Sequence, residues 1–544
     1  MTAWTLSTQS SASLRSVLTV SQFWVLFAHF SLLIATTAGA AGEFMLPRRT
    51  IGMACALGVV AALLSAALPP RTSRIYFDEQ IYQGVARNLS DLHRAQMCNE
   101  GNVEYGRLQC ARGEYNKEPY GYPFLLSVLY SVAGVHDAAA YRLNNVMFGA
   151  TVMVVVLLAE LLFADVLVSL FSGISVMLLP THLSWSNTAA AEPAAALFCA
   201  ASVLAAVHFC RVRTSAALAW LVVVATFTMT VRPEGMLIVI VTAVTVVALA
   251  PEELATPRVW WAGVAAAVLA AVPVAHAAAV RHEPWGAAGS PWGWHNAAVN
   301  SPVNVWFYFF DERFPSLVGI AAVLGAAAAG RGRERIVLAA FFLTFWLVFL
   351  FFYAGSYNYG ADVRFSLMTS VPIGILGGRG LARGASIVRW LPGRREPSTR
   401  RAATIVVVVL LLNFVCYLTL VRSTGEEAWA ARTDVRMARV FSATLSPNSI
   451  VLTHNPSMFH VWGVSAAQLS IASSETAYID RVVLARYAGG AYVHWNYWCN
   501  TDSAQRAFCQ AALDRFPHAR VASYRERDYE YALYRITGPA AKTQ

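Results

Sequence analysis

Eleven apolar runs recur along this chain, near 51–69, 142–163, 166–180, 189–209, 215–231, 235–250, 259–280, 315–330, 336–353, 365–378 and 402–421. A hydrocarbon core about 30 Å thick takes about 20 helical residues to cross. In lipid the backbone must satisfy its own hydrogen bonds, so repeated runs of this kind fold as packed helices. Several are short for a straight crossing. That points to tilted or broken helices around a cavity, where protein or water can serve an irregular backbone. With 57% apolar and only 13% charged residues, the chain reads as a polytopic α-helical membrane protein of about 11 transmembrane helices.

The net charge of +10 is made almost wholly by arginine, since Lys117 and Lys542 are the only lysines. No basic stripe interleaved with aromatics accompanies it, so no nucleic-acid partner is expected. The arginines instead collect in alternate loops: Arg48 and Arg49, Arg211 and Arg213, Arg258, the Arg331, Arg333 and Arg335 cluster, and Arg379 through Arg401. Loops that hold arginine face the cytoplasm. The parity then puts 70–141, 181–188, 232–235, 281–314, 354–364 and everything after Val421 on the extracytoplasmic side of a multi-pass cell-membrane protein.

Three parts follow. Residues 1–50 contain an apolar run, Phe23 to Ala41, that reads as a cleaved leader, an extra helix, or translation from an upstream start with Met45 closer to the functional beginning. Residues 51–421 form the membrane part. Residues 422–544 regain polar character, with alternating stretches at 449–453, 491–494 and 529–534 and helical ones near 426–444 and 503–514, and predict a small exterior α/β domain. Cys98, Cys110, Cys499 and Cys509 all fall in exterior segments. They read either as two local bridges, Cys98–Cys110 and Cys499–Cys509, or as four thiols, since sequence alone does not settle connectivity.

Chemistry is expected in the exterior loops. The first, 70–141, is too long for a mere linker and opens on Tyr76-Phe-Asp-Glu-Gln-Ile-Tyr82. Asp78 and Glu79 leave the first span at the membrane surface, where a carboxylate serves as a general base for a lipid-borne substrate or as a helix cap. Further along are Asn116-Lys-Glu-Pro-Tyr-Gly-Tyr-Pro123 before an apolar surface helix, then Arg142 with Asn144 and Asn145. Glu192 lies inside an apolar run, a costly place for an ionisable group. It is a functional residue or the partner of Arg142 or His182.

Taken in order, these residues resemble the GT-C superfamily of polyprenyl-phosphate-sugar-dependent glycosyltransferases, which includes protein O-mannosyltransferases and the aminoarabinose transferase of lipid A. The resemblance covers most of residues 50–421. It is carried by Asp78-Glu79-x-x-Tyr82, Glu118-Pro119-x-Gly121-Tyr122-Pro123, Arg142-x-x-Asn145, Ala191-Glu192-Pro193, Val231-Arg232-Pro233-Glu234-Gly235 and Asp362-x-Arg364-Phe365. It implies an inverting transfer from a polyprenyl-phosphate-linked sugar to a glycan, glycolipid or protein acceptor, with Asp78 as base and Glu79 either beside it or organising the loop.

A leaving phosphate needs cations in a low-dielectric setting. Arg232, Arg364 and Lys117 are the candidates, guanidinium being suited to bidentate phosphate recognition. Arg232 with Glu234, and Arg364 with Asp362, also read as local pairs, and Lys117 as a snorkelling surface lysine. Glu118, Arg142, Glu192, Tyr359 and Asp362 complete the expected cavity. The resemblance further implies a possible divalent metal near the phosphate, held by Glu118 with His282 or His295. The family's Glu-Lys-Pro order is Lys117-Glu118-Pro119 here, which shifts that register. Trp285, Trp292, Trp294 and Trp306 read as sugar-stacking rings or as an interfacial belt. A lipid-linked glycan polymerase or ligase and a secondary transporter are the alternatives, but no two-fold hydropathy repeat supports the transporter.

Overall fold

The computed structural model describes residues 11–74, 78–97, 102–104, 107–109, 115–281, 289–328, 330, 332–358, 362–388, 399–423 and 426–540. Most of them are helical. Among the described residues, six helices are long and apolar enough to cross a membrane: Ser13–Ala41, Arg48–Ala67, Asp137–Phe163, Glu192–Val212, Pro257–Val280 and Gly332–Phe351. Gly121–Ala133, Val166–Met177, Ser215–Thr228, Pro233–Leu249 and Ser316–Ala327 are shorter apolar helices, and Ser366–Val388 carries Pro372 within it. The bundle thus mixes full-length helices with broken ones, and the breaks fall at polar motifs.

Without a hydrophobic driving force between helices in lipid, small residues permit close packing. Gly58 and Gly149 face each other between helices Arg48–Ala67 and Asp137–Phe163. A Cβ on either would lie 2.5–2.8 Å from the other's carbonyl oxygen. Ser11–Ala41 is a continuous helix that joins the bundle through Leu18, Leu26 and Leu33. Polar ties fix its position. Arg15 Nε donates to the Ala279 carbonyl at 3.0 Å, the Tyr115 hydroxyl donates to Gln22 Oε1 at 2.7 Å, and Thr19 O accepts from the Ala95 amide at 2.9 Å.

The segment 70–141 holds helix Asp78–Leu92 and a short antiparallel pair, β1 (Asn102–Glu104) and β2 (Arg107–Gln109). Helix Gly121–Ala133 was expected to lie flat on the membrane. It buries Tyr122, Phe124, Leu126 and Tyr130 and leaves Val132 exposed, because one face packs on helix Asp78–Leu92.

The C-terminal part is an α/β unit with a five-stranded sheet: β3 (Ser449–Thr453), β4 (Ser465–Gln468), β5 (Gly490–Trp495), β6 (His518–Glu526) and β7 (Tyr529–Ile536), in the order β4-β3-β5-β7-β6. β3 runs parallel to β4 and β5, whereas β7 is antiparallel to β5 and β6. Helices Glu426–Ser442 and Ser503–Asp514 flank the sheet, and Cys499 is bridged to Cys509 in its core. Cys98 and Cys110 lie outside the described residues.

This domain docks on helix Asp78–Leu92. Asn455 Nδ2 donates to Gln80 Oε1 at 3.4 Å, and Arg87 Nη1 donates to the Val461 carbonyl at 3.0 Å. The guanidinium of Arg87 lies against Gly463 (φ +77°), where a side chain would collide with it.

Candidate active site

Four helix ends converge beneath the docked domain. Asp78 opens helix Asp78–Leu92, and Glu192 opens Glu192–Val212 with Pro193 in its first turn. Arg232 precedes the 3₁₀ turn Pro233–Leu237, and Arg364 lies in the 3₁₀ turn Asp362–Phe365 that leads into Ser366–Val388. Asp78 and Glu192 thus each sit at the positive end of a helix dipole.

These charges form one network. Glu192 Oε1 lies 2.5 Å from Arg232 Nη1 and 3.0 Å from Arg364 Nε. Arg232 Nε also reaches Glu234 Oε1 at 2.5 Å, and Arg364 Nη2 lies 3.2 Å from Asp78 Oδ2. Phe365, stacked at 4.2 Å on Phe349, presents its ring to both guanidiniums at 5.6 and 5.1 Å. Exposure separates the roles. The Glu192 side chain is 1% exposed and that of Asp78 is 27%. Among the described residues Arg364 meets two carboxylates, and of these Asp78 is the one open to a substrate.

Arg232 is therefore held between two carboxylates, which is the local pair with Glu234 extended to Glu192. Arg364 pairs with Asp78 and Glu192. Glu192 does not serve Arg142 or His182: Arg142 is exposed, and His182 Nε2 bonds Ser370 Oγ at 2.5 Å and the Leu367 carbonyl at 3.1 Å. The structure thus places Arg142 away from the cavity. Four residues separate it from Val146, which is 64% exposed, so both lie on the outward face of their helix.

Glu79 is a loop organiser. It is fully buried, with Oε1 accepting the Arg74 amide at 2.5 Å and Oε2 the Ala189 amide at 2.7 Å. Asn144 and Asn145 complete this stitching. The Asn144 amide donates to the carbonyls of Thr188 and Ala190, both at 2.8 Å, and that of Asn145 to Ser186 O at 2.8 Å. The segment leading into Glu192 is thereby fixed.

Gly121 brings the Glu118-Pro119 segment to the same place. Its amide donates to Thr230 O at 2.8 Å, and a Cβ there would sit 2.4 Å from Thr230 Oγ1. Only glycine allows this approach, two residues before Arg232. Burial and the facing carboxylate of Asp78 push Glu118 up to about 7, against the pull of Lys117, Arg232 and Arg364. Tyr82, buried beside the same charges, is driven well above the usual phenol range by burial and by Glu118.

Asp362 opens its 3₁₀ turn, and its side chain, like Tyr359 and His282, lies outside the described residues. His295 is exposed near the start of helix Trp294–Phe310. His276 uses Nδ1 on the Tyr115 hydroxyl and Nε2 on the Lys117 carbonyl. The expected ligand pair of Glu118 with His282 therefore falls in part outside the described residues. A second group, His454 with Cys499 and Cys509, has donor atoms within 4.8 Å of one another, but both sulfurs are committed to the disulfide. Trp292, Trp294 and Trp306 are exposed, and Trp285 lies outside the described residues.

No family model and no curated protein matches the sequence. Solved structures do match. The structure of ArnT from Cupriavidus metallidurans bound to undecaprenyl phosphate is similar over 92% of this chain and 100% of that one, with a TM-score of 0.58 at 13% identity. The apo form of the same protein gives 0.54 at 12% identity, over 88% of this chain and 97% of that one. The archaeal oligosaccharyltransferase AglB from Archaeoglobus fulgidus, in complex with an inhibitory peptide and a dolichol-phosphate, gives 0.51 at 10% identity, over 88% of this chain and 74% of that one.

Proposed function

We propose that this chain, whose fold is that of the GT-C glycosyltransferases, transfers a sugar from a polyprenyl-phosphate donor to an acceptor hydroxyl on the extracytoplasmic side, with inversion. The observation that carries the reading is the Asp78–Arg364 pair. It sets one part-exposed carboxylate and one guanidinium side by side at converging helix ends, with Glu192 buried behind them.

In the step this pair supports, the acceptor oxygen attacks the anomeric carbon and its proton passes to Asp78. The bond from that carbon to the phosphate oxygen breaks, and the electron pair leaves with the lipid phosphate. A hydroxyl is a poor nucleophile near neutral pH, and a positioned base is worth about 10²–10⁴ in rate. The leaving phosphate is met by Arg364, with Lys117 as its second cation. Arg232 and Glu192 hold Arg364 in place. Glu118, which titrates near neutrality, adapts its charge when an anionic phosphate enters.

The test is release of free polyprenyl phosphate from a panel of polyprenyl-phosphate sugars, using detergent-purified protein and a membrane extract as acceptor. The parent is expected to release it. Arg364→Met, losing charge-assisted hydrogen bonds worth about 1.5–3 kcal/mol, is expected to bind undecaprenyl phosphate at least tenfold more weakly. A parent that neither binds nor releases any lipid phosphate would sink the proposal and favour a transporter.

A further inference from the structure

Behind the Lys117-Glu118 segment lies a buried histidine that the proposed transfer does not use. His276, on helix Ala271–Val280, is 6% exposed and engages both ring nitrogens. Nε2 lies 3.0 Å from the Lys117 carbonyl oxygen, and Nδ1 lies 2.8 Å from the Tyr115 hydroxyl. A carbonyl only accepts, so Nε2 carries a proton and donates it. The Tyr115 hydroxyl in turn bonds Gln22 on helix Ser11–Ala41. The ring is wedged as well as bonded, because Tyr120 meets it edge-on at 5.7 Å and stacks on Tyr115 at 4.9 Å.

The segment that His276 touches is tied down on either side of Lys117. The Asn116 amide donates to the Tyr120 hydroxyl at 2.7 Å, Asn116 Oδ1 accepts from the Glu118 amide at 2.8 Å, and the Tyr120 hydroxyl donates to the Ala95 carbonyl at 3.3 Å. The bond from His276 adds a tie at the Lys117 peptide itself, and it comes from a membrane-crossing helix. Lysine is a point charge on a flexible four-carbon stem, so its ammonium is aimed only as well as its backbone is held. Lys117 acts on Glu118 together with Asp78, Arg232 and Arg364, and so belongs to the charge network of the site.

We propose that His276 is a positioning residue of the donor site, whose Nε2–H holds the Lys117 peptide where the ammonium meets the lipid phosphate. This role rests on the glycosyl-transfer reading, in which Lys117 is the second cation on the leaving phosphate. It also gives helix Ser11–Ala41 a part in the site, since Gln22 and Tyr115 steady the ring to which the Lys117 peptide is bonded.

The experiment measures undecaprenyl phosphate binding to the delipidated full chain, with thermal unfolding of each variant alongside. His276→Gln keeps a donor at about the reach of Nε2 and should bind within about threefold of the parent. His276→Asn is too short to reach the Lys117 carbonyl and should bind about tenfold more weakly. Lys117→Met should also bind about tenfold more weakly, and adding His276→Asn to it should cost nothing further, because residues acting through one group are not additive. A merely structural histidine would instead weaken both backgrounds by the same factor. Should His276→Asn fail to fold, Tyr115→Phe leaves the ring in place but releases Nδ1, and is expected to weaken binding about threefold in the parent and not at all in Lys117→Met. A parent that binds no undecaprenyl phosphate overturns the glycosyl-transfer reading and this role with it. A parent that binds, with His276→Asn or Lys117→Met unchanged or with additive losses in the double variant, overturns the role of His276 alone.

Discussion

Glu192→Gln removes the carboxylate on which two arginines converge while keeping its volume. Breaking a buried ion pair by deleting one partner costs about 3–5 kcal/mol. Here Arg232 keeps Glu234 at 2.5 Å and Arg364 keeps Asp78 at 3.2 Å, so about 2–3 kcal/mol is expected. At an unfolding entropy of roughly 2 cal/mol/K per residue over 544 residues, Tm falls by about 2–3 °C. Turnover should fall at least tenfold as well, because a guanidinium displaced by an ångström no longer meets the leaving phosphate. The assay is thermal unfolding of the purified protein in one detergent, with lipid-phosphate release measured on the same preparation. Glu252→Gln is the control. Its partner Arg213 and Glu252 itself are each about half exposed, and solvent screens such a surface pair. If Glu192→Gln behaves like Glu252→Gln in both readouts, Glu192 does not organise the arginines.

Three further outcomes follow from the same geometry. Glu79→Gln puts an amide where a carboxylate accepts two backbone N–H groups. It should lower Tm by more than Asp78→Asn does, with unfolding scans as the check, because a buried donor is left facing a donor. Gly121→Ala drives a methyl group into Thr230 and is expected to cost about 1–3 kcal/mol and to reduce turnover, measured by Tm and product release. Glu118, raised from the ordinary 4.5 to about 7, contributes stability that is complete below pH 4.5 and lost as pH rises through 7. Relative to Glu118→Gln, the parent should lose roughly 3 kcal/mol between pH 4.5 and 8, seen as converging or crossing Tm values across that range.

The bundle was legible because lipid demands long apolar helices, and the runs of the sequence match helices of the structure one for one in many cases. Irregularities were less legible: the span 257–280 is interrupted at Ala270, between Pro257–Leu269 and Ala271–Val280. The N-terminal run admitted three readings, since an apolar stretch near a terminus has the same composition whether it is removed or packed. In the structure it is helical and touches the bundle, as where Gln22 meets Tyr115. In the C-terminal domain, β3, β5 and β7 were visible as alternating stretches. β6 was not, because as an edge strand it is exposed along most of its length and carries Arg520 and Arg525. β4 was too short, at Ser-Ala-Ala-Gln.

At the site, residue types were readable and partners were not. Asp78, Glu192, Arg232 and Arg364 stood out as charges in apolar surroundings, yet their pairing spans nearly 300 residues of sequence and no local pattern encodes it. The assignment of Arg142 to the cavity failed because a helix position, not a motif, decides which way a side chain faces. The buried amide of Ala189 and the ring of Phe349 carried no signal, being an ordinary backbone group and one phenylalanine among 28.

The most direct test is a single comparison of the parent with Asp78→Asn on one polyprenyl-phosphate sugar, reading both undecaprenyl phosphate affinity and the rate of lipid-phosphate release. A base worth about 10²–10⁴ in rate predicts a loss of that size in Asp78→Asn, with affinity for undecaprenyl phosphate unchanged or tighter, since Arg364 loses a competing carboxylate. A variant that binds and turns over like the parent contradicts the assignment of Asp78 as the base.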